Sequence, residues 1–159
     1  MKRTITIALI LAACAFLISL IYVELPFSSP SGDSVANEQL LSASSTIQIK
    51  DRTIRVEIAD TSGERERGLS GKEGLAEDEG MLFVFEEDGR PAFWMKDMLF
   101  AIDILWISSD GAIVHIEENV APETYPTAFA PRNEARYVVE LPAGYVAKYT
   151  VRPGDIVRL

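Results

Sequence analysis

Hydrophobic and polar positions divide the chain into three regimes. Residues 4–23 carry no charged side chain at all. Twenty helical residues at about 1.5 Å each cover roughly 30 Å, the thickness of a bilayer's hydrocarbon core. Lys2 and Arg3 precede the run, while Glu24 and Pro26 follow it. Basic residues ahead of an apolar run hold the N-terminus on the cytoplasmic side. The pattern predicts one transmembrane helix within residues 1–23, set in the inner (cytoplasmic) membrane, with everything after it extracytoplasmic and, in an envelope with two membranes, periplasmic. Residues 24–45 are rich in Ser, Pro, Gly, Asn and Gln and read as a flexible linker. Residues 46–159 form the third regime.

There the apolar positions are spaced for strands. Thr46-Ile47-Gln48-Ile49 alternates, and so do Ile54, Val56 and Ile58 against Arg55 and Glu57, which predicts a hairpin turning near Lys50-Asp51. Thr61 followed by Glu64 is a capping box for a short helix bearing Arg65, Glu66 and Arg67, ended by Gly68 or Gly71. After an irregular stretch from Gly68 to Gly80, short apolar runs follow at 81–85, 92–96, 102–107, 112–120, 136–141 and 156–159, each of strand length. Ser109-Asp110-Gly111 is a hairpin turn, Pro122 to Pro131 a long loop, and Pro153-Gly154 a turn. No long 3.6-residue periodicity appears after residue 23. The fold expected is mainly β: a jelly-roll-like β-sandwich or partly open barrel with one or two short helices.

The uncharged run admits two other fates. A signal peptide's apolar region is about 7–15 residues long; this run is longer, and the nearest small-x-small site, Ser34-Val35-Ala36, lies well beyond it. Leu11-Ala12-Ala13-Cys14 resembles a lipobox, with Cys14 as the lipidation site, yet nine uncharged residues follow Cys14. All three fates deliver residues 46–159 to the same side of the membrane.

Composition narrows the chemistry. Cys14 is the only cysteine in 159 residues, so the β-rich domain has no disulfide and no thiolate ligand. The chain's net charge is −9, and without Lys2 and Arg3 it becomes −11. Such an acidic domain suits neither nucleic acid nor an anionic lipid surface. His115, the sole histidine, sits in the strand-like Ile113-Val114-His115-Ile116 and reads as a packed or rim residue rather than a general base. The acidic runs Glu77-Asp78-Glu79-Gly80 and Glu86-Glu87-Asp88-Gly89 do not have Ca²⁺-loop spacing and read as solvated turns. No metal site and no cofactor is implied. Gly68-Leu69-Ser70-Gly71-Lys72 resembles a nucleophile elbow and a P-loop, but Lys72 and Glu73 stand where those motifs need Gly and Ser or Thr.

Three charged residues lie in or beside otherwise apolar runs: Lys96, Asp103 and Glu140. One reading makes them a polar cleft, with two carboxylates as an acid/base pair and Lys96 for an anionic group. The other makes them a lysine–carboxylate cluster that satisfies itself and fixes strand pairing. Trp94 and Trp106, with Met95, offer an aromatic platform for a sugar or peptide, in which Trp94, Lys96 and Trp106 would bind ligand, although such residues in apolar runs more often belong to a core.

Several blocks in order carry a resemblance: Gly68-Leu69, Gly80-Met81-Leu82-Phe83-Val84-Phe85, Phe93-Trp94-Met95-Lys96, Asp103-Ile104, Glu140-Leu141-Pro142-Ala143-Gly144 and Gly154-Asp155. Together they resemble the family called domain of unknown function 192, over roughly residues 50 to 158. The resemblance implies one compact, jelly-roll-like β domain, often found behind an export signal, and implies no reaction. The chain departs from the family pattern at Ser70 to Lys72, at Asp97-Met98 and at Phe100-Ala101-Ile102. The function expected is a non-catalytic, membrane-tethered module that binds an envelope ligand or protein. The alternative is a small envelope hydrolase acting on saccharides through Asp103 and Glu140.

Overall fold

The computed structural model describes residues 45–159. The expected transmembrane helix, the Cys14 lipidation site and the linker lie outside the described residues. Within them the order is β1 (Ser45–Ile49), β2 (Arg52–Ala59), α1 (Ser62–Arg67), β3 (Glu79–Gly89), β4 (Phe93–Trp94), β5 (Ile102–Ile107), β6 (Ile113–Val120), a single 3-10 turn at Pro122–Thr124, β7 (Ala128–Phe129), β8 (Ala135–Pro142), α2 (Tyr145–Tyr149) and β9 (Val157–Arg158).

Seven strands make one sheet in the order β6-β5-β8-β3-β2-β1-β9, and β4 pairs only with β7. Of the two architectures expected, the partly open barrel is the one formed and the jelly-roll-like sandwich is not: one sheet curls into a half-barrel. Neighbours are antiparallel except β2 and β3, whose crossover carries α1. Register shifts between β3 and β8 and between β5 and β6 add local twist and help the sheet bend. At one end its outer strands nearly meet. Ala112 bridges Ile156, Val157 N–H donates to Gly111 O at 2.8 Å, and Ile113 N–H donates to Asp155 O at 2.9 Å. Gly111 has φ +87°, and a Cβ there would stand 2.8 Å from Val157 O. Only glycine fits this seam.

The curl leaves a core on each face. The inner one joins Ile47, Ile54, Val56, Leu82, Leu105 and Leu141, capped by Tyr145 and Val146 of α2. The outer one joins Met81, Phe83, Ile102, Ile104, Trp106 and Val138, covered by Leu69, Met95 and Met98. Every residue of β5 is buried, because this strand is packed on both faces. β1 and β2 keep the alternation expected of half-buried strands up to Glu57, after which Ile58 is exposed, against the alternation, and Ala59 takes the buried position. Gly80 lets β3 approach β8: a Cβ there would meet Glu140 O at 2.7 Å and Leu141 Cδ2 at 2.9 Å.

The acidic runs behave differently from one another. Glu77 and Asp78 form a turn, as expected, whereas Glu86 to Gly89 continue β3. Surface cations take up several of these acids: Lys148 on Glu77, Arg55 on Asp78 and Glu79, and Arg136 on Asp88. No described helix is long and apolar enough to cross a membrane.

Candidate functional site

The outer face of the sheet carries a cleft of about 360 Å³, lined by α1, the Gly68–Ser70 turn, Phe83 and Phe85 of β3, the segment Pro91 to Trp94, Met98 and Glu140. One wall is α1. Thr61 is its N-cap, with its hydroxyl receiving Glu64 N–H at 3.3 Å while Glu64 Oε2 receives Thr61 N–H at 3.0 Å. Gly68, at φ +49°, ends it. Arg65 fastens this helix to β3 by donating to Val84 O at 3.0 Å and to Asp60 O, with its guanidinium 5.2 Å from the Phe85 ring centre.

The opposite wall is the segment Pro91 to Trp94, with Met98. Trp106 Nε1 donates to Pro91 O at 2.9 Å. Phe93 stands edge-on to Phe83 at 4.8 Å and to Trp106 at 5.9 Å. Ser70 Oγ donates to Lys96 O at 3.0 Å, and Gly71 N–H to Asp97 O at 2.9 Å, so the two walls are joined at one end. Trp94 is 52% exposed at the mouth and meets Tyr125 edge-on at 6.1 Å.

Glu140 lines this cleft from β8, where it stands opposite Met81 of β3 and Ile104 of β5. It is 5% exposed, and its Oε2 has no hydrogen-bond partner. Burial pushes its pKa from 4.5 up to about 8, because an apolar surrounding disfavours the charged form. At neutral pH the group is a carboxylic acid, able to donate one hydrogen bond and accept others.

Asp103 is equally buried, but it stands opposite Leu141, one register position from Glu140. Successive side chains alternate across a sheet, so Asp103 points to the inner face and Glu140 to the outer. Its Oδ1 receives Asn119 N–H at 2.8 Å and Gly144 N–H at 3.2 Å, and its Oδ2 receives Val146 N–H at 2.8 Å. This carboxylate ties the end of β6 and the start of α2 to β5.

The structure therefore does not bring Lys96, Asp103 and Glu140 together. Lys96 is exposed, and among the described residues it joins no ion pair. The self-satisfying cluster and the acid/base pair both fail for one reason: β5 and β8 are adjacent strands whose register turns the two carboxyls to opposite sides. The aromatic platform is corrected too. Trp106 is fully buried beneath the wall, and only Trp94 reaches the cleft. His115 is half-buried on β6, 3.0 Å from Glu117 Oε1 and tilted over Trp106, the packed position its neighbours suggested. Arg65, Arg67, Phe85 and Phe93 also line the cleft. The capping box located the arginines on a helix, but nothing in the spacing said that this helix faces the Phe-Trp block.

The DUF192 family model, described as "Uncharacterized ACR, COG1430", matches residues 45–159. The chain belongs to this family. Its DUF192 relatives include a UPF0127 protein of Thermococcus gammatolerans, 31% identical over 104 residues that make up 64% of each chain. A second, from Thermococcus kodakarensis, is 28% identical over 105 residues, 65% of this chain and 63% of that one. The DUF192 chain thus spans just under two thirds of these relatives' length. Two solved structures share its fold. One, from Sinorhizobium meliloti, is described as a putative transcription regulator; it is 35% identical with a TM-score of 0.66 and covers 71% of this chain and 89% of its own. The other, a protein of unknown function from Novosphingobium aromaticivorans, is 26% identical with a TM-score of 0.69, covering 72% and 84%.

Proposed function

We propose that the protein is a membrane-tethered, extracytoplasmic binding module whose ligand enters the cleft over Glu140. The observation that carries this reading is the unpartnered, buried Glu140 carboxyl beside an open aromatic cleft. A buried polar atom without a partner costs about 1–3 kcal/mol, and a ligand that meets it recovers that cost. The cleft's volume lies at the low end of the roughly 300–1,000 Å³ of small-molecule sites. The tether rests on the uncharged run at residues 4–23 behind Lys2 and Arg3. A regulator role of the kind named for the Sinorhizobium meliloti protein has little support in so acidic a chain. A two-carboxylate glycosidase needs its acids about 5–10 Å apart across one groove, and the register separates Asp103 from Glu140.

Two measurements test this reading. Carbonate washing of membranes should leave the full-length chain in the pellet; release of the intact chain would contradict the tether. A panel of small aromatic and aliphatic compounds should include members that raise the melting temperature of the full-length chain. That response should vanish in Trp94→Ala and Glu140→Leu. Hits that act equally on both variants would place binding elsewhere.

A further inference from the structure

We infer that the cleft binds a small organic acid, its carboxylate held between the Arg67 guanidinium at the rim and the Glu140 carboxyl, its apolar body along Phe85, Phe93 and Trp94. This rests on the cleft being the binding site, and it names the class of ligand.

Charge selects an anion here. The ionisable groups lining the cleft are Arg65, Glu66 and Arg67 from α1 and Glu140 from β8; β3 and the Pro91–Met98 segment contribute apolar side chains only. The Asp103 carboxylate on β5 faces the other way. Glu140 is neutral at pH 7, so the lining residues carry two guanidiniums and one carboxylate, a positive balance in a chain of net charge −9. Arg65 is committed to Asp60 O, Val84 O and the Phe85 ring. Arg67 is exposed; its carbonyl receives Ser70 N–H at 3.0 Å, and among the described residues its guanidinium joins no ion pair. A guanidinium with free donors suits the planar oxygens of a carboxylate. The protonated Glu140 supplies the second donor, and carboxyl-to-carboxylate bonds are among the shorter, charge-assisted kind. An amine would meet two guanidiniums and find no ionised partner at the floor. The volume, about 360 Å³, leaves room for a ligand of roughly ten non-hydrogen atoms.

Binding of a carboxylate beside Glu140 requires Glu140 to keep its proton. The apparent affinity then follows the protonated fraction, and falls as pH rises through the group's value of about 8. Between pH 7 and pH 9 that is about a tenfold loss.

The experiment titrates the full-length chain in detergent micelles with benzoate and hexanoate, their amides, and benzylamine and hexylamine, at pH 7 and pH 9, following NMR shifts of the Trp94 indole. The acids should bind at pH 7 and weaken about tenfold at pH 9. Glu140→Gln should keep binding and flatten the pH profile, because an amide donates without titrating. Arg67→Gln should weaken the acids roughly tenfold while leaving the amides unchanged. Amines binding better than acids, and more tightly at pH 9, would overturn the ligand class and leave the cleft as a binding site. Acids that bind independently of pH and of Arg67 would do the same. No response to any of the six compounds at millimolar concentration would overturn both this inference and the binding-module reading.

Discussion

The two faces of the central sheet treat the same chemical group in opposite ways. On the inner face, the Asp103 carboxylate is met by three backbone N–H groups from two separate segments. On the outer face, one strand away, the Glu140 carboxyl keeps an oxygen with no partner, and burial holds its proton on up to about pH 8. Burial alone does not distinguish them, since both are at most 5% exposed. Partnership does. A buried carboxylate with enough donors is a structural rivet; one without them is a stored cost, and a stored cost that borders an open cleft is the mark of a site.

The largest expected effect breaks the inner side of this contrast. Asp103→Ala takes the acceptor from three N–H groups, that of Val146 buried and those of Asn119 and Gly144 part-buried, and the full-length chain should lose on the order of 4 kcal/mol of stability in urea unfolding. A loss below about 1 kcal/mol would mean that water or neighbouring carbonyls replace the carboxylate.

The outer side should respond with the opposite sign. The folded pKa of Glu140 lies above its ordinary 4.5, so its contribution to stability is complete below about pH 4.5. It is withdrawn steadily as pH climbs toward about 8, where the folded form also ionises. At pH 7 the penalty is about 3 kcal/mol. Glu140→Gln should therefore stabilise the chain by up to about that amount at pH 7, and flatten stability between pH 5 and 8. Destabilisation by Glu140→Gln across that whole range would show that the carboxyl has a partner and is no site.

A smaller effect sharpens the comparison by moving the wall and leaving the floor. Trp106→Phe removes the donor that holds Pro91 O and leaves a gap beside Phe93. The cost should be about 2 kcal/mol in thermal melts, with weaker binding of any cleft ligand. The smallest effect is a control. Lys96→Met should change stability by less than about 0.5 kcal/mol, because Lys96 is exposed. It should not rescue Asp103→Ala; a rescue would restore the lysine–carboxylate cluster.

Features set by neighbouring residues were legible in the sequence. The β1–β2 hairpin follows from alternation, α1 from Thr61 and Glu64, and the β5–β6 turn from Ser109-Asp110-Gly111. Helix α2 was not located, because five residues show no periodicity and its start is secured by a carboxylate 42 residues upstream, through Asp103 and Tyr145. The strand pattern leaves sandwich and partly open barrel undecided, because nothing local reveals that β2 pairs β3 in parallel or that β6 reaches β9. The sides taken by Asp103 and Glu140 are set by pairing between strands. Alternation tells which face a residue takes only when one face is polar. Ile102 to Ile107 and Val138 to Leu141 are buried throughout, so the sides taken by Asp103 and Glu140 depend on strand register and cannot be seen in either strand alone.

The seam between β6 and β9 sets an order of events for this chain. β9 lies between β1 and the start of β6: Val157 pairs Ile49 in one direction and reaches Gly111 in the other. The first and last strands of the half-barrel thus meet across more than a hundred residues of sequence, a contact of the slow-forming, non-local kind. A chain emerging from its N-terminus keeps the edges of β1 and β6 bare until Val157 is free to dock, open to proteases and to pairing with other chains. Deleting residues 156–159 would leave a molecule with most of both cores and two permanently sticky margins, more prone to aggregate than to lose its secondary structure.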